Sequence, residues 1–365
     1  MTNKKILNFI PNFSFGGVET TNINLSETLI KFGYEVDLLT NDYQRVNKLE
    51  YFNNVKSLRK SKMLFCLLPL MKYINNTKPD LIICSQFYAN IIVLLACFLS
   101  GYKTKIILCE RVPVFENLKK ISIIKKNVIK FLIKRLYKKA DKIVCNSYGT
   151  KNDLNKITDV NNSVVIYNPV LGDSILNQSK STVNDFIFDK KTKYLITVSR
   201  IAEERNVIEL INIFNSLSNK KNIKLLIIGD GPLLNECKSR VKQLNLENKI
   251  HFLGYKSNPY KYLSKSHIYL STAKWEGMGN SIIEALFFGL YVIAYDSPGG
   301  VSEMLKDGKF GSLIPYGDKQ KFASDLINNL NNSNLKNQDI NEHLELFKPD
   351  NVTKKYIDLI EAISK

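Results

Sequence analysis

The sequence predicts an α/β fold built from two facing, doubly wound parallel-sheet domains with a cleft between them. Three observations lead there. The chain has 365 residues, enough for two domains each with its own core. Short β-branched runs are separated by helical stretches, and strands joined through helices imply right-handed crossovers and parallel sheets covered on both faces. The pattern runs through the first half, lapses, and then starts again.

In the first half the expected strands are Lys5–Ile10, Glu35–Thr40, Leu81–Ser85, Lys105–Glu110, Lys142–Ser147 and Val164–Asn168. In the second they are Tyr194–Ser199, Ile223–Ile228, His251–Leu253, Ile268–Ser271, Tyr291–Asp296 and Gly311–Ile314. Between Asn168-Pro169 and Lys193, residues of the Pro, Gly, Ser, Asn and Asp kind collect and periodicity fails, as in a hinge. The expected domains are therefore 1–170 and 171–345, with a C-terminal segment 346–365. That segment carries Val352, Tyr356, Ile360 and Ile363 at helical spacing and is expected to pack back toward the N-terminal domain. The Asn-rich stretch 329–341 reads as an exposed turn.

Hydrophobic residues at 44% and charged residues at 24% place the chain among soluble globular proteins. The run Leu81–Gly101 has the length of a membrane span, but Ser85, Gln86 and Asn90 interrupt it, so a buried strand, a polar loop and a buried helix are expected. The apolar run at the start is too short for a signal peptide, and secretion is not expected. Six cysteines lack any C-x-x-C pair and any His at ligand spacing, and read as buried thiols in a reducing compartment. The formal charge of +18 is uneven. Residues 1–170 hold 26 Lys+Arg against 12 Asp+Glu, a net of +14, which leaves +4 for the remainder. Whatever the positive field attracts, the first half attracts it.

Ligands of open α/β sheets gather at the carboxyl ends of strands, so the residues there are read first. After the first strand, Gly16-Gly17 opens a helix; the pair admits backbone N–H groups to a phosphate, and is equally a common way to make a turn. After Tyr194–Ser199 come Arg200 and Arg205, two guanidiniums able to clamp a diphosphate and offset charge on a leaving group, or else to pair with Glu203 and Glu204. Gly229-Asp230-Gly231-Pro232 reads as a tight turn into a helix. The segment Trp275–Leu286 places Glu276 and Glu284 around a turn that opens a helix, with Gly277 and Gly279 leaving backbone open to a ligand. Ser281-Ile282-Ile283-Glu284 also reads as a capping box, in which Glu284 merely satisfies the helix end.

Arg200…Arg205, Gly229-Asp230-Gly231-Pro232, Phe252-Leu253-Gly254-Tyr255, Glu276-Gly277-Met278-Gly279-Asn280…Glu284-Ala285, Pro298-Gly299-Gly300…Glu303 and Gly308…Gly311-Ser312-Leu313-Ile314-Pro315 follow one another in this order. The order resembles that of family 4 glycosyltransferases, in particular bacterial enzymes of O-antigen or capsule type. The resemblance implies a GT-B fold, a nucleotide-sugar donor and retention of configuration. It implies that Arg200 and Arg205 meet the donor diphosphate, that Glu284 meets the ribose, and that Glu276 meets the sugar hydroxyls with Gly277, Met278, Gly279, Asn280 and Ser281. Gly254 and Tyr255 would flank the base, and Gly16 and Gly17 would close on the phosphates. Relatives usually carry Lys where Arg205 stands and often Pro where Gly279 stands.

Many relatives carry a His after a strand of the first domain, whereas this chain has Ser85-Gln86 and Glu110-Arg111 at those places, and its three His all lie in the second half. Glu110-Arg111-Val112-Pro113 resembles a subgroup acting on lipid-linked oligosaccharides, which implies that Glu110 and Arg111 line an acceptor pocket; an ion pair closing a strand end is the other reading. No Asp-x-Asp occurs, so the diphosphate lacks the usual metal ligands, and metal-independent, front-face transfer without a cofactor is expected. Leu118–Ala140 holds nine Lys or Arg and no acid, with Lys126, Lys130 and Lys134 stacked every four residues beside an apolar stripe of Ile121, Ile124, Val128, Phe131 and Leu132. A basic amphipathic helix suits an anionic membrane or a lipid diphosphate, so the expected partners are a nucleotide-sugar donor (UDP first), a polyprenyl-diphosphate-linked saccharide and the inner membrane face, with the chain cytoplasmic and peripheral. A GT-B-folded epimerase and a nucleic-acid-binding protein are the rivals; the latter leaves the arginine pair and the two-carboxylate loop unexplained.

Overall fold

The computed structural model describes residues 4–13, 16–43, 49, 52–217, 222–330 and 338–365. The chain divides into two compact units, Met1–Val170 with Phe347–Lys365, and Leu171–Leu346.

The first unit has strands β1 Lys5–Phe13, β2 Glu35–Tyr43, β3 Asn54–Ser57, β4 Leu81–Ser85, β5 Lys105–Glu110, β6 Lys142–Cys145 and β7 Ser163–Val165. All pair in parallel in the order β3-β2-β1-β4-β5-β6-β7. The helices are α1 Gly17–Lys31, α2 Leu67–Thr77, α3 Phe87–Ser100, α4 Val114–Leu118, α5 Ile123–Leu136 and α6 Tyr148–Asn155. Side chains alternate across the sheet as a two-residue period requires. Ile82, Cys84, Ile106 and Leu108 enter one core with α2, α3 and α5, whereas Leu81, Ile83, Ile107 and Cys109 enter the other. In that second core the C-terminal helix Pro349–Ser364 buries Val352, Tyr356, Ile360 and Ile363, and it packs on α1. Pro349 at its first position costs no hydrogen bond there.

The second unit has β8 Lys193–Val198, β9 Ile223–Ile228, β10 Ile250–Gly254, β11 Ile268–Ser271, β12 Tyr291–Asp296 and β13 Ser312–Pro315, parallel in the order β10-β9-β8-β11-β12-β13. Its helices are α7 Ile175–Ser179, α8 Val207–Asn215, α9 Leu234–Gln243, α10 Tyr260–Leu263, α11 Asn280–Phe287, α12 Val301–Met304, α13 Lys319–Asn329 and α14 Gln338–Glu345. Each sheet runs outward in both directions from a central strand, β1 or β8, so each has one place where successive connections part and leave a crevice.

Twelve of these strands are those expected. The edge strand β3 is an addition, because Asn54-Val55-Lys56-Ser57 is short and mostly polar and carries no strong strand signal. Leu81–Gly101 folds as β4 and α3, and no described helix is long and apolar enough to cross a membrane. All six cysteines are unpaired and buried. The Asn-rich stretch 329–341 falls largely outside the described residues, with helical ends on either side.

Candidate active site

In the second unit the crevice lies between the loops that follow β8 and β11. The first loop carries Arg200, a 3-10 turn Glu203–Arg205, and Asn206, whose left-handed φ of 52° turns the chain into α8. The second loop carries Thr272 to Gly279, and it is bonded to the first. Thr272 Oγ1 donates to the Asn206 carbonyl at 3.0 Å, and the Lys274 amide donates to the Glu204 carbonyl at 2.8 Å. The Glu276 amide donates to the Pro298 carbonyl at 3.0 Å, and the Gly300 amide donates to the Glu276 carbonyl at 3.2 Å, so Glu276 is held between two strand-end loops.

These bonds bring Arg205 Nη1 and Glu276 Oε2 together as an ion pair, with the two side chains 25% and 17% exposed. The cation assigned to the diphosphate and the carboxylate assigned to the sugar are therefore each other's partners. Glu203 pairs with Lys274 at 3.1 Å, while burial pushes the Arg205 guanidinium down against the charge of Glu204 nearby. Arg200 is exposed at the mouth of the loop.

The Gly229-Asp230-Gly231 turn holds this segment from below. The Ile201 amide donates to the Asp230 carbonyl at 2.8 Å, and a Cβ placed on Gly229 or Gly231 would stand 1.9 Å from the Ser199 carbonyl oxygen or 2.3 Å from that of Ile201. Only glycine permits that approach. The Gly229 amide also donates to the Gly254 carbonyl at 2.9 Å, which ties the Gly254-Tyr255 turn, with Tyr255 exposed, to the same strand ends.

Helix α11 corrects the capping-box alternative. It starts at Asn280 after Gly279, whose φ of 89° marks the turn, and no side chain caps it. Ser281 Oγ is hydrogen-bonded to the Tyr269 hydroxyl at 2.7 Å, and Glu284 lies in the second turn, beyond reach of a cap role. The Glu284 carboxyl is 9% exposed and accepts from the Tyr260 hydroxyl at 3.4 Å. Burial pushes it up to about 8, against the downward pull of that bond. Its folded value lies above its unfolded one, so the stability it contributes is complete below about pH 4.5 and is lost as pH rises through about 8. Glu284→Gln should therefore flatten the decline in unfolding free energy between pH 5 and pH 9, read by urea titration at a series of pH values; an unchanged slope would remove Glu284 as its source.

In the first unit the crevice lies between the loops after β1 and β4. Gly16 and Gly17 open α1 there and are exposed. After β4, Gln86 combines φ 81° with ψ 132°, outside the left-handed helical basin, a strained backbone for a residue with a side chain. At the end of β5, Glu110 and the following Arg111 are interior instead of open to a pocket. Glu110 accepts from the Tyr137 hydroxyl and from Asn90 Nδ2 at 2.8 Å, and burial pushes it up to about 7 against those bonds. Arg111 donates to Asn168 Oδ1 at 2.7 Å and to the Tyr356 hydroxyl at 3.2 Å. The pair is thus held by other residues and does not close the strand end as an ion pair of its own.

The basic segment breaks in two, with α4 ending at Leu118 and α5 beginning at Ile123. Lys126 and Lys130 are half-buried, with ammonium groups 5.8 and 4.6 Å from the Phe115 ring centre, whereas Lys134 is exposed. Lys119 pairs with Glu116 at 2.8 Å, an acid just outside the segment that was expected to be unbalanced. Sequence reasoning missed Tyr260, Tyr269 and Tyr137 and read Tyr356 only as a packing residue, because nothing in the local sequence shows which polar group a tyrosine hydroxyl will meet.

Two parallel sheets of this order, with the candidate residues at their strand-end crevices, define the GT-B class of α/β protein. The model of "Glycosyltransferase Family 4" matches residues 15–170 and that of "Glycosyl transferases group 1" matches residues 179–343. The chain belongs to glycosyltransferase family 4. It is 32% identical over 211 residues to N-acetylgalactosamine-N,N'-diacetylbacillosaminyl-diphospho-undecaprenol 4-alpha-N-acetylgalactosaminyltransferase of Campylobacter jejuni, covering 57% of this chain and 56% of that relative's length. It is 25% identical to the amylovoran biosynthesis glycosyltransferase AmsD of Erwinia amylovora, covering 85% of each. The solved structure of Anabaena HepE in complex with UDP shares the fold at a TM-score of 0.75 and 18% identity, covering 98% of this chain and 100% of that one.

Proposed function

We propose that the protein is a retaining glycosyltransferase of surface-polysaccharide biosynthesis. It moves a hexose or N-acetylhexosamine from a UDP sugar to a polyprenyl-diphosphate-linked saccharide. The observation that carries this reading is the meeting of Arg205 and Glu276 at the crevice of the second unit, beside the buried Glu284. A guanidinium and a carboxylate at one strand-end crevice fit a ligand that is anionic at one end and rich in hydroxyls at the other. The Campylobacter relative's name contains diphospho-undecaprenol and an N-acetylgalactosaminyl group, AmsD is named for amylovoran biosynthesis, and HepE was solved with UDP, all of which support the substrate classes.

In this reading Arg200 and Arg205 bind the diphosphate, Glu276 binds the sugar hydroxyls with the Gly277–Asn280 backbone, and Glu284 accepts from the ribose. Tyr255 and Gly254 flank the base, and Gly16 and Gly17 meet the phosphates. The bond from the anomeric carbon to the diphosphate oxygen breaks, the acceptor oxygen bonds to the same face, and the acceptor proton passes to the departing phosphate. Guanidinium charge offsets the phosphate charge as it grows, which is the part a metal would otherwise play. The cations of α5, Lys126, Lys130 and Lys134 among them, hold the chain at the inner, anionic membrane face.

Product analysis tests the chemistry. The transferred sugar should keep the anomeric configuration of the donor, read from proton coupling, and EDTA should leave the rate unchanged. An inverted product would overturn the front-face step, and an EDTA-sensitive rate would overturn the role given to the arginines.

A further inference from the structure

The helices α2, α3 and α5 carry exposed apolar side chains and lysines and no acid of their own. The three helices pack on one face of the first sheet, α2 with α3 and α3 with α5, and none contains Asp or Glu. Neither does the approach to α2, Arg59-Lys60-Ser61-Lys62. Yet the outward positions are not the polar ones that a solvated helix layer would present. Leu64, Phe65 and Leu68 stand out at the start of α2, each more than half exposed, between Lys62 and Lys72, which are exposed as well. Phe98 and Leu99 end α3, with the Lys139 ammonium 4.6 Å from the Phe98 ring centre. On α5 the apolar stripe faces outward: Ile123 is 76% exposed, Ile124 78%, Val128 53% and Phe131 58%.

Large apolar side chains clustered at the surface mark an interaction site. Here they stand among cations on helices that carry no carboxylate of their own, which favours an anionic partner with an apolar interior. Lysines at such a boundary keep their ammonium groups at the headgroups while their stems cover apolar surface. We propose that this layer enters an anionic bilayer by insertion of Leu64, Phe65 and Leu68 together with the outer face of α5, so that attachment is apolar as well as electrostatic. The proposal rests on the membrane-attachment reading above and assigns to it a second element, the start of α2, and a mode of binding that salt does not remove.

The two components separate by salt, since charges are screened beyond about 3 Å at about 1 M and beyond about 10 Å at about 0.1 M, whereas apolar insertion is not weakened. The full chain is sedimented with phosphatidylglycerol-containing and with pure phosphatidylcholine vesicles at both salts. The wild type should bind the anionic vesicles at low salt and keep part of that binding at high salt. The variant Leu64→Ser, Phe65→Ser, Leu68→Ser should bind at least about tenfold more weakly at low salt and lose binding at high salt. Because these side chains are exposed, the triple variant should keep the wild-type melting curve.

A Phe65→Trp variant reads insertion directly: its emission should shift to the blue on anionic vesicles and be quenched by brominated lipid, beyond the change shown by the wild type with Trp275 alone. Wild-type binding that vanishes at high salt, with Phe65→Trp emission unchanged, would overturn insertion while leaving electrostatic attachment standing. No binding to anionic vesicles at low salt would overturn both. A dimer that the triple serine variant splits, without any vesicle binding, would assign the surface to a second copy of the chain.

Discussion

Replacing Glu276 with alanine should lower kcat for sugar transfer by about 100- to 1000-fold, with a much smaller change in KM for the donor. The size follows from the proposed role, in which Glu276 meets the sugar whose charge and shape change in the transition state; its backbone is fixed by hydrogen bonds to Pro298 and Gly300, which would aim the carboxylate before substrate arrives. Arg205→Ala should cost at least as much, because it removes a cation from a leaving group that gains negative charge. The ion pair between the two adds a quantitative expectation. Each single variant loses its own contact with substrate and also leaves its partner unpaired, so the double variant should lose less than the product of the two single losses. The pair is three-quarters or more buried, so removing one partner also costs folding free energy, and urea unfolding of each variant separates that loss from the loss in turnover. Steady-state kinetics of the four proteins with one donor checks this; strictly multiplicative losses would mean that the pair is not shared.

The second large effect is on stability. Tyr356→Ala should destabilise the first unit by about 3–5 kcal/mol, the cost of emptying a site that holds a large aromatic side chain. Tyr356 is fully buried on the C-terminal helix, and its hydroxyl receives a hydrogen bond from Arg111 Nη2 at 3.2 Å and lies 3.6 Å from Cys109 Sγ. Tyr356→Phe keeps the packing and removes only the acceptor, leaving one donor of an interior guanidinium unsatisfied, so a loss of about 1–3 kcal/mol is expected. Urea unfolding followed by circular dichroism measures both. Equal losses for the two variants would assign the whole effect to the hydrogen bond, and no loss in either would remove the C-terminal helix from the core of the first unit.

The fold was legible because periodicity is a strong signal when strands are apolar on both faces, as in Leu81-Ile82-Ile83-Cys84. It failed at Asn54–Ser57, where an edge strand needs few apolar residues and its backbone pairing with β2 makes up the difference. The candidate site was legible as a set of residue types at strand ends, and the sheet order explains why Arg205 and Glu276, 71 positions apart, meet. What sequence could not supply was direction. The motif Ser281…Glu284 has the letters of a capping box, but the helix starts at Asn280 behind Gly279 and leaves Glu284 two residues too deep for that role. Glu110 and Arg111 read as open polar residues, yet Tyr137, Asn90, Asn168 and Tyr356, remote in sequence, provide interior partners for them. The amphipathic pattern of α5 suggests a membrane, but only the structure separates the residues that face outward, Ile123, Ile124, Val128 and Phe131, from Ile129, Leu132, Ile133 and Leu136, which meet the core.

The most direct test of the central claim is the mass of the acceptor. Incubated with a UDP hexose or UDP N-acetylhexosamine and a polyprenyl-diphosphate saccharide, the wild type should add one sugar residue to the acceptor and release one UDP for each. Glu276→Ala and Arg205→Ala should leave the acceptor mass unchanged over the same time. An acceptor that gains no mass across a panel of UDP and GDP sugars, or gains it equally with both variants, would contradict the assignment of the second unit's crevice as the site of sugar transfer.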